Sequence, residues 1–486
     1  MQRYTKLAGV LALGAGLSGC GDFLTGPGLT ENPNSPITAS TDQLFIAMQA
    51  RQFVVQEGQL ARLTAIWTQQ ITGIFNQQLD WGTKYLVTEN DLGQHFNHIY
   101  VGGGLLDMRK IQTAASAAGD KRLEGITKVW EAFTIGSATS LWGDIPYREA
   151  VDPANPAPHL DPQQQVYADV QALLDNAIAT LAGTPTTAMA TDLIYNGNTD
   201  RWRRAAYTLK ARYHLHTAAR LGAPAYQAAL AAAQQGINEV PTTVANAVHG
   251  QGAGDFRSVH GNTLDDANIW SQFLNARSDI VGAQRLIGVL VARGNDPRLE
   301  GYFDPATVVG ASGTCPGFPA GYRGADPWGR ATPNTCASLS LVDATTRTAR
   351  TYRQPFITWT ENQLIIAEAQ FQLGNEPAAR TALNAVRASL GMPALPGPIT
   401  LEEIMVEKWI AQFQNIDAYS DYRRTCYPRL VPGGQTIGVS ASQVPGRFPY
   451  GGTERVQNPN IPAPSQQPAK NWTYEQITCP SGGGAI

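Results

Sequence analysis

Charge is scarce in this chain: 15% of its 486 residues are Asp, Glu, Lys or Arg, against about 25% in an average soluble domain. The 36 basic and 39 acidic side chains nearly cancel, leaving a formal net charge of −3. No Lys/Arg stripe or cluster is present, which argues against nucleic acid as a partner. Beyond the first twenty residues no hydrophobic run approaches the ~20 residues that span a bilayer as a helix. Cysteine is scarce, at five residues, and no CxxC or His/Cys spacing suits zinc. No P-loop, GxSxG elbow, HExxH or dinucleotide fingerprint occurs; Gly250-Gln251-Gly252-Ala253-Gly254 has glycines without the spacing or the strand. Asp265-Asp266 and Glu402-Glu403 are carboxylate pairs, but sequence neighbours on a helix do not face one another across a bond. His95 and His98 stand one helical turn apart without a third ligand. The expectation is a protein that is not an enzyme and uses no cofactor or metal.

Gln, Asn, Thr and Ala stand in for the missing charge. An amide-rich, nearly neutral surface suits a neutral polar ligand. Aromatic residues in the connections between helices give that ligand something to stack on. Trp81 and Tyr85 lie where a predicted helix gives way to a polar connection. Trp270 and Phe273 sit in a first long loop, and Phe318, Tyr322 and Trp328 in a second. An exposed ring can stack on the C–H face of a sugar while nearby amides or guanidinium groups bond its hydroxyls. The ligand-binding candidates are therefore Trp81, Tyr85, Trp270, Phe273, Tyr322 and Trp328. Trp67, Trp130 and Trp409 fall at helical spacing and read as core.

The N-terminus has the layout of a secretory signal: Arg3 and Lys6, then a short apolar stretch from Leu7 to Leu17. It closes on Leu17-Ser18-Gly19-Cys20, which resembles the lipobox of bacterial lipoproteins. Residues 1–19 are then the signal peptide and Cys20 carries the lipid, palmitate included. One acyl chain holds a protein only marginally, so a stable tether needs at least two. Gly21 after the cysteine favours the outer membrane. With Cys20 lipidated, Cys315, Cys336, Cys426 and Cys479 remain as disulfide candidates in an oxidising compartment. Four cysteines allow three pairings; Cys315–Cys336 is favoured because it staples a Gly/Pro-rich loop, and Cys426–Cys479 then ties the tail to the body.

The rest reads as one domain, residues 20–486, with a polar lead-in over 20–39. Helical periodicity predicts helices from about Asp42, over Leu60 to Leu79, Asn90 to Ala118, Leu123 to Leu141, Asp161-Pro162 to Leu181, Trp202 to Leu221, Ala225 to Ile237 and Asp279 to Ala292. Residues 241–277 and 301–355 read as long irregular loops, which in a compact domain are usually functional. Leu364, Ala367 and Phe371, then Gly374, then Ala379, Leu383 and Val386 form a helix–turn–helix similar to a tetratricopeptide unit. A last helix runs from Leu401 to about Ile416. The fold class is all-α (α-rich), with tetratricopeptide-like helix pairs and long loop excursions.

Several segments together resemble the SusD/RagB family of outer-membrane nutrient-binding lipoproteins. Cys20-Gly21-Asp22-Phe23-Leu24 is similar to the family's opening, and Gly143-Asp144-Ile145-Pro146-Tyr147 with Glu149-Ala150 to its Gly-Asp-x-Pro-Tyr motif. Trp202 through Leu209-Lys210-Ala211-Arg212, Glu361 through Ala367-Glu368-Ala369 and Gly374, and Glu407-Lys408-Trp409 with Asp421-Tyr422-Arg423-Arg424 resemble its helix motifs. Val444-Pro445-Gly446-Arg447-Phe448-Pro449-Tyr450, then Glu454 and Asn458, resemble its C-terminal segment, with Gly451 where proline is common. The resemblance implies a SusD-like fold and a surface-exposed, non-catalytic lipoprotein that passes an oligosaccharide to a SusC-like TonB-dependent barrel. It also allows a peptide-binding uptake lipoprotein; a protein-only adaptor is the third alternative. No ligand contact carries over by motif.

Overall fold

The computed structural model describes residues 39–306, 321–328, 339–432 and 443–480, with the backbone alone at 435–436 and 439–440. By its internal contacts the chain divides at Leu44, and Phe45–Ile486 form one unit. The helices begin with α1 (Thr41–Glu57), α2 (Gln59–Trp67), α3 (Asn76–Thr83), α4 (Glu89–Tyr100), α5 (Leu105–Ala118), α6 (Lys121–Trp142), α7 (Gln163–Leu181), α8 (Thr199–Leu221) and α9 (Ala223–Ala233). After them come α10 (Val244–His249), α11 (Ile269–Ala276), α12 (Gln284–Ala292), α13 (Arg298–Tyr302), α14 (Trp359–Gln372), α15 (Glu376–Ser389), α16 (Leu401–Ala411), α17 (Asp417–Thr425) and α18 (Gly452–Gln457). The strands are β1 (Ile71–Gly73), β2 (Phe256–Arg257), β3 (Ile280–Gly282), β4 (Pro355–Ile357), β5 (Gln435–Thr436) and β6 (Val439–Ser440), paired antiparallel as β1–β3, β2–β4 and β5–β6.

Local chemistry sets the helix ends. Asp120 accepts from the Leu123 N–H to open α6, Asn198 from Arg201 to open α8, and Thr358 from Glu361 to open α14. Thr88 with Asp91 and Thr400 with Glu403 form capping boxes, each satisfying two orphan backbone donors. The helices then pack in series: α5 on α6, α6 on α7, α7 on α8, α8 on α9, α9 on α14, and α14 on α15 and α16. Where α8, α9 and α14 meet, Ala211, Ala229, Ala232 and Ala233 close against Leu215 and Ile365. Gly136 of α6 faces the Tyr213 ring so closely that an added Cβ would come within 2.2 Å of it.

The motif residues hold this body together. Trp142 donates its indole N–H to the Pro449 carbonyl at 2.8 Å, Arg447 bonds the Trp142 carbonyl at 2.8 Å, and the Tyr450 hydroxyl reaches the Asp144 carbonyl at 2.6 Å. The C-terminal segment is thus locked onto the end of α6. Deeper in, Glu368, Arg424, Asp421 and Lys408 form one buried ion network. Cys426 and Cys479 are disulfide-bonded, as the second expected pair; Cys20, Cys315 and Cys336 lie outside the described residues.

Five expectations are corrected. The helix over Leu60 to Leu79 is α2, β1 and α3, because Gly73 meets the Gln78 carbonyl where an added Cβ would stand 2.0 Å away. The helix over Asn90 to Ala118 breaks at Gly102-Gly103-Gly104 into α4 and α5, glycine being costly inside a helix. Residues 241–277 are partly regular, holding α10, β2 and α11. The start of the helix at Asp279 is strand β3, with α12 following from Gln284. Pro162 precedes α7 rather than opening it, and Asp144 accepts the Gln163 N–H at 2.7 Å.

Candidate functional site

The β1–β3 ladder gathers sequence-distant connections. Ile71 pairs with Gly282, Thr72 with Val281 and Gly73 with Ile280. Ala325 then bridges Ala283, accepts from the Gln284 N–H at 2.7 Å and from the Thr72 hydroxyl at 3.2 Å. Segments 71–76, 279–284 and 322–328 therefore lie side by side.

The chain between α2 and α4 is held in uncommon backbone conformations. Gln69, Asn76 and Tyr85 have φ of 56°, 52° and 52°, a left-handed region that non-glycine residues rarely adopt and that concentrates at functional sites. Asn76 is fixed there by Asp279, whose side chain accepts from its amide at 3.0 Å while the Asp279 carbonyl accepts from the Ile74 N–H at 2.8 Å. Arg277 approaches the same carboxylate at 3.5 Å. The residue between them, Phe75, is thrown outward and is 57% exposed. A large bare ring beside an amide, a carboxylate and a guanidinium is a place where an apolar face and fixed hydrogen-bonding groups meet.

The six aromatic candidates divide. Trp81 on α3 is 1% exposed and its backbone carbonyl accepts from the Trp67 indole at 3.0 Å. Trp270 on α11 is fully buried. Neither offers a face to a ligand, and both belong to the core: the change to a helical setting turned them inward. Tyr85 is half-buried, edge-on to Trp67 at 6.3 Å between ring centres. Phe273 is half-buried, with the Arg62 guanidinium 4.2 Å over its ring centre. Tyr322 and Trp328 are half-buried on the segment that joins β3 through Ala325. Phe318 lies outside the described residues. Sequence reading missed Phe75, because it placed residue 75 inside a helix; Gly73 and Asn76 on either side were the available signal. It also missed Arg62, whose surroundings exist only in three dimensions.

Among the described residues no group of three or more His, Cys, Asp and Glu is placed to hold a metal. His95 is pushed down to about 4 by burial first, then by Arg62 and His98. The Tyr167–His216–Asp417 chain, with contacts of 2.9 and 2.8 Å, has the look of acid–base machinery. It borders a cavity of only about 10 Å³, close to the space of one water, and so serves packing. Two open grooves, of about 470 Å³ beside Gly119–Arg122 and about 490 Å³ beside α5, carry no aromatic side chain. No described helix is long and apolar enough to cross a membrane.

A family profile described as starch-binding, associating with outer membrane, of the SusD-like type, matches residues 33–451. Among solved structures, a chitin-binding protein shares 21% identity with a TM-score of 0.73, covering 90% of this chain and 100% of that one. A SusD/RagB family protein from Bacteroides thetaiotaomicron shares 20% identity, TM-score 0.67, over 90% and 98% of the two chains. A chitin-binding SusD homolog from Flavobacterium johnsoniae shares 19%, TM-score 0.69, over 90% and 98%. No curated protein matches. Similarity at this level of identity speaks for the fold, and the profile for the family.

Proposed function

The chain belongs to the SusD-like family, whose members are non-catalytic binding proteins, and from that membership we propose that it captures an oligosaccharide at the surface around Phe75. The carrying observation is the exposed Phe75 ring flanked by Asn76, Asp279 and Arg277. A sugar offers an apolar C–H face to the ring and hydroxyls to the amide and the charged groups. Phe273, Tyr85, Tyr322 and Trp328 on the neighbouring segments extend the stacking surface. Chitin-binding relatives on the same fold make a β-linked amino sugar the first ligand to try.

In this reading Cys20 is lipidated and holds the body at the cell face of the outer membrane, and a SusC-like TonB-dependent barrel receives the sugar. Binding starch and chitin oligosaccharides in parallel with a peptide pool, by calorimetry on the soluble body, tests the ligand class. Saturable binding of a sugar without its breakdown supports the proposal. Saturable binding of peptides alone replaces it with a peptide-uptake role. Loss of membrane association on Cys20→Ala, and recovery of a barrel with the tagged native protein, test the tether and the partner.

A further inference from the structure

Arg62 pairs with no carboxylate among the described residues. It is 8% exposed, and its Nε and Nη1 are cut off from solvent with no hydrogen-bond partner. The Phe273 ring lies against it, with its centre 4.2 Å from the guanidinium carbon. Burial, followed by repulsion from Arg277, pulls the guanidinium down to about 10, and Arg62 in turn helps hold His95 neutral. Other buried arginines that anchor the body are matched to carboxylates, as Arg212 and Arg298 are, or to carbonyl and hydroxyl oxygens, as Arg347 and Arg423 are. An unpaired buried charge costs several kcal/mol, and orphan donors of this kind call for an occupant.

The chain itself has little to offer as that occupant. Asp279 is already shared by Asn76 and Arg277, and Glu57 is bonded to His260 and to the Ile269 N–H. Outside the described residues the only acidic side chains are Asp22 and Glu31. Neighbours of Arg62 that reach solvent include half-buried Phe273 and His95 and the exposed Arg277.

We infer that Arg62, oriented by Phe273 and backed by Arg277, is an anion subsite that reads a carboxylate or sulfate substituent on the ligand. A guanidinium pairs with a carboxylate or sulfate oxygen through a charge-assisted N–H···O bond, and the ring beneath it holds the guanidinium plane in place. The subsite rests on the glycan reading above and narrows it: the preferred sugar carries acid groups, although the protein as a whole is nearly neutral. A uronate and a sulfate ester share this chemistry, and the ligand series separates them.

The test uses the wild-type soluble body and R62Q. Calorimetry compares an oligogalacturonate with its carboxyl-reduced neutral counterpart, and a sulfated with an unsulfated chitooligosaccharide; sodium sulfate is added in a separate thermal-shift series. We expect wild type to prefer one acidic member by about tenfold or more, and R62Q to show less than about twofold preference with neutral binding unchanged. The preference should shrink as salt rises, since charge supplies it. Sulfate should raise the melting temperature of wild type more than that of R62Q, and ligand-free R62Q should melt no lower than wild type. R277Q, which leaves the buried cation in place, should lose part of the preference and guards against a folding defect in R62Q. Equal affinity for acidic and neutral sugars, or a preference kept by R62Q, overturns the subsite and leaves glycan binding standing. If no sugar binds but the sulfate shift depends on Arg62, the subsite stands and the glycan reading fails. If no sugar binds and sulfate acts alike on both proteins, both fall.

Discussion

Arg212 and Glu361 meet through two parallel bonds of 2.6 Å, from Nε and Nη2 to the two carboxylate oxygens, with 3% and 4% of their side chains exposed. The pair joins α8 to α14 across 149 residues of sequence, and Arg212 also donates to the Phe356 carbonyl on β4 at 2.6 Å. Removing Glu361 breaks both short bonds and leaves the buried Arg212 only the longer approach to Asp417, at 3.6 Å. Glu361→Gln should therefore cost about 3–5 kcal/mol of stability, read as a shift in the urea midpoint. A loss below about 1 kcal/mol would show that water replaces the missing charge, and that the pair does not pin the helices.

Trp81 and Phe75 should behave oppositely. Trp81→Ala empties a fully packed site and should cost about 3–5 kcal/mol, with sugar affinity unchanged in the folded fraction. Phe75→Ala removes an exposed ring and should move stability by no more than about 0.5 kcal/mol. Thermal melts and calorimetry on the two variants check the pair; a stable Trp81→Ala would return that residue to the ligand surface.

Loss of the Cys426–Cys479 bond, which closes a 53-residue separation, should destabilise the protein by about 4 kcal/mol on loop-entropy grounds. The double Ser variant compared with the oxidised parent gives the number. Melting unchanged by the substitution would mean that the bonds of the C-terminal segment, such as Trp142 to Pro449, already restrain the tail.

His95 predicts an acid-sensitive contribution. Its ordinary value of 6.5 falls to about 4 in the folded protein because burial, then Arg62 and His98, oppose its charging. The unfolded chain thus takes up the proton first, so this contribution to stability is complete above pH 6.5 and is lost as pH falls through about 4. His95→Gln should flatten the stability curve across that window. An NMR titration that finds His95 charged at about pH 6 would contradict the burial that the fold assigns to it.

The helical body was legible in the sequence and the proposed ligand surface was not. Helix ends carry local signals, such as Asp120, Asn198 and the Thr400–Glu403 box, and the family motifs sit in packing roles that their residue types announce. Trp142 needs a carbonyl for its indole and Arg424 needs carboxylates, and the fold supplies both. Phe75 depends instead on a two-strand pairing between residues 71–73 and 280–282, which no window of neighbouring residues contains. Trp270 read as a loop residue because the start of α11 is held by Arg350, Tyr352 and Glu57, partners distant in sequence. Arg62 is further from view still, because a missing partner leaves no trace in a sequence.

The account rests on Phe75 as the centre of a sugar-binding surface that turns nothing over. The most direct measurement is calorimetric titration of a chitooligosaccharide into wild type and Phe75→Ala, with the sugar analysed by mass spectrometry afterwards. Saturable binding to wild type, affinity lower by about tenfold or more in Phe75→Ala at unchanged melting temperature, and an intact sugar are the predicted results. Equal affinity in the two proteins, or shortened sugar after incubation with purified wild type, would contradict it.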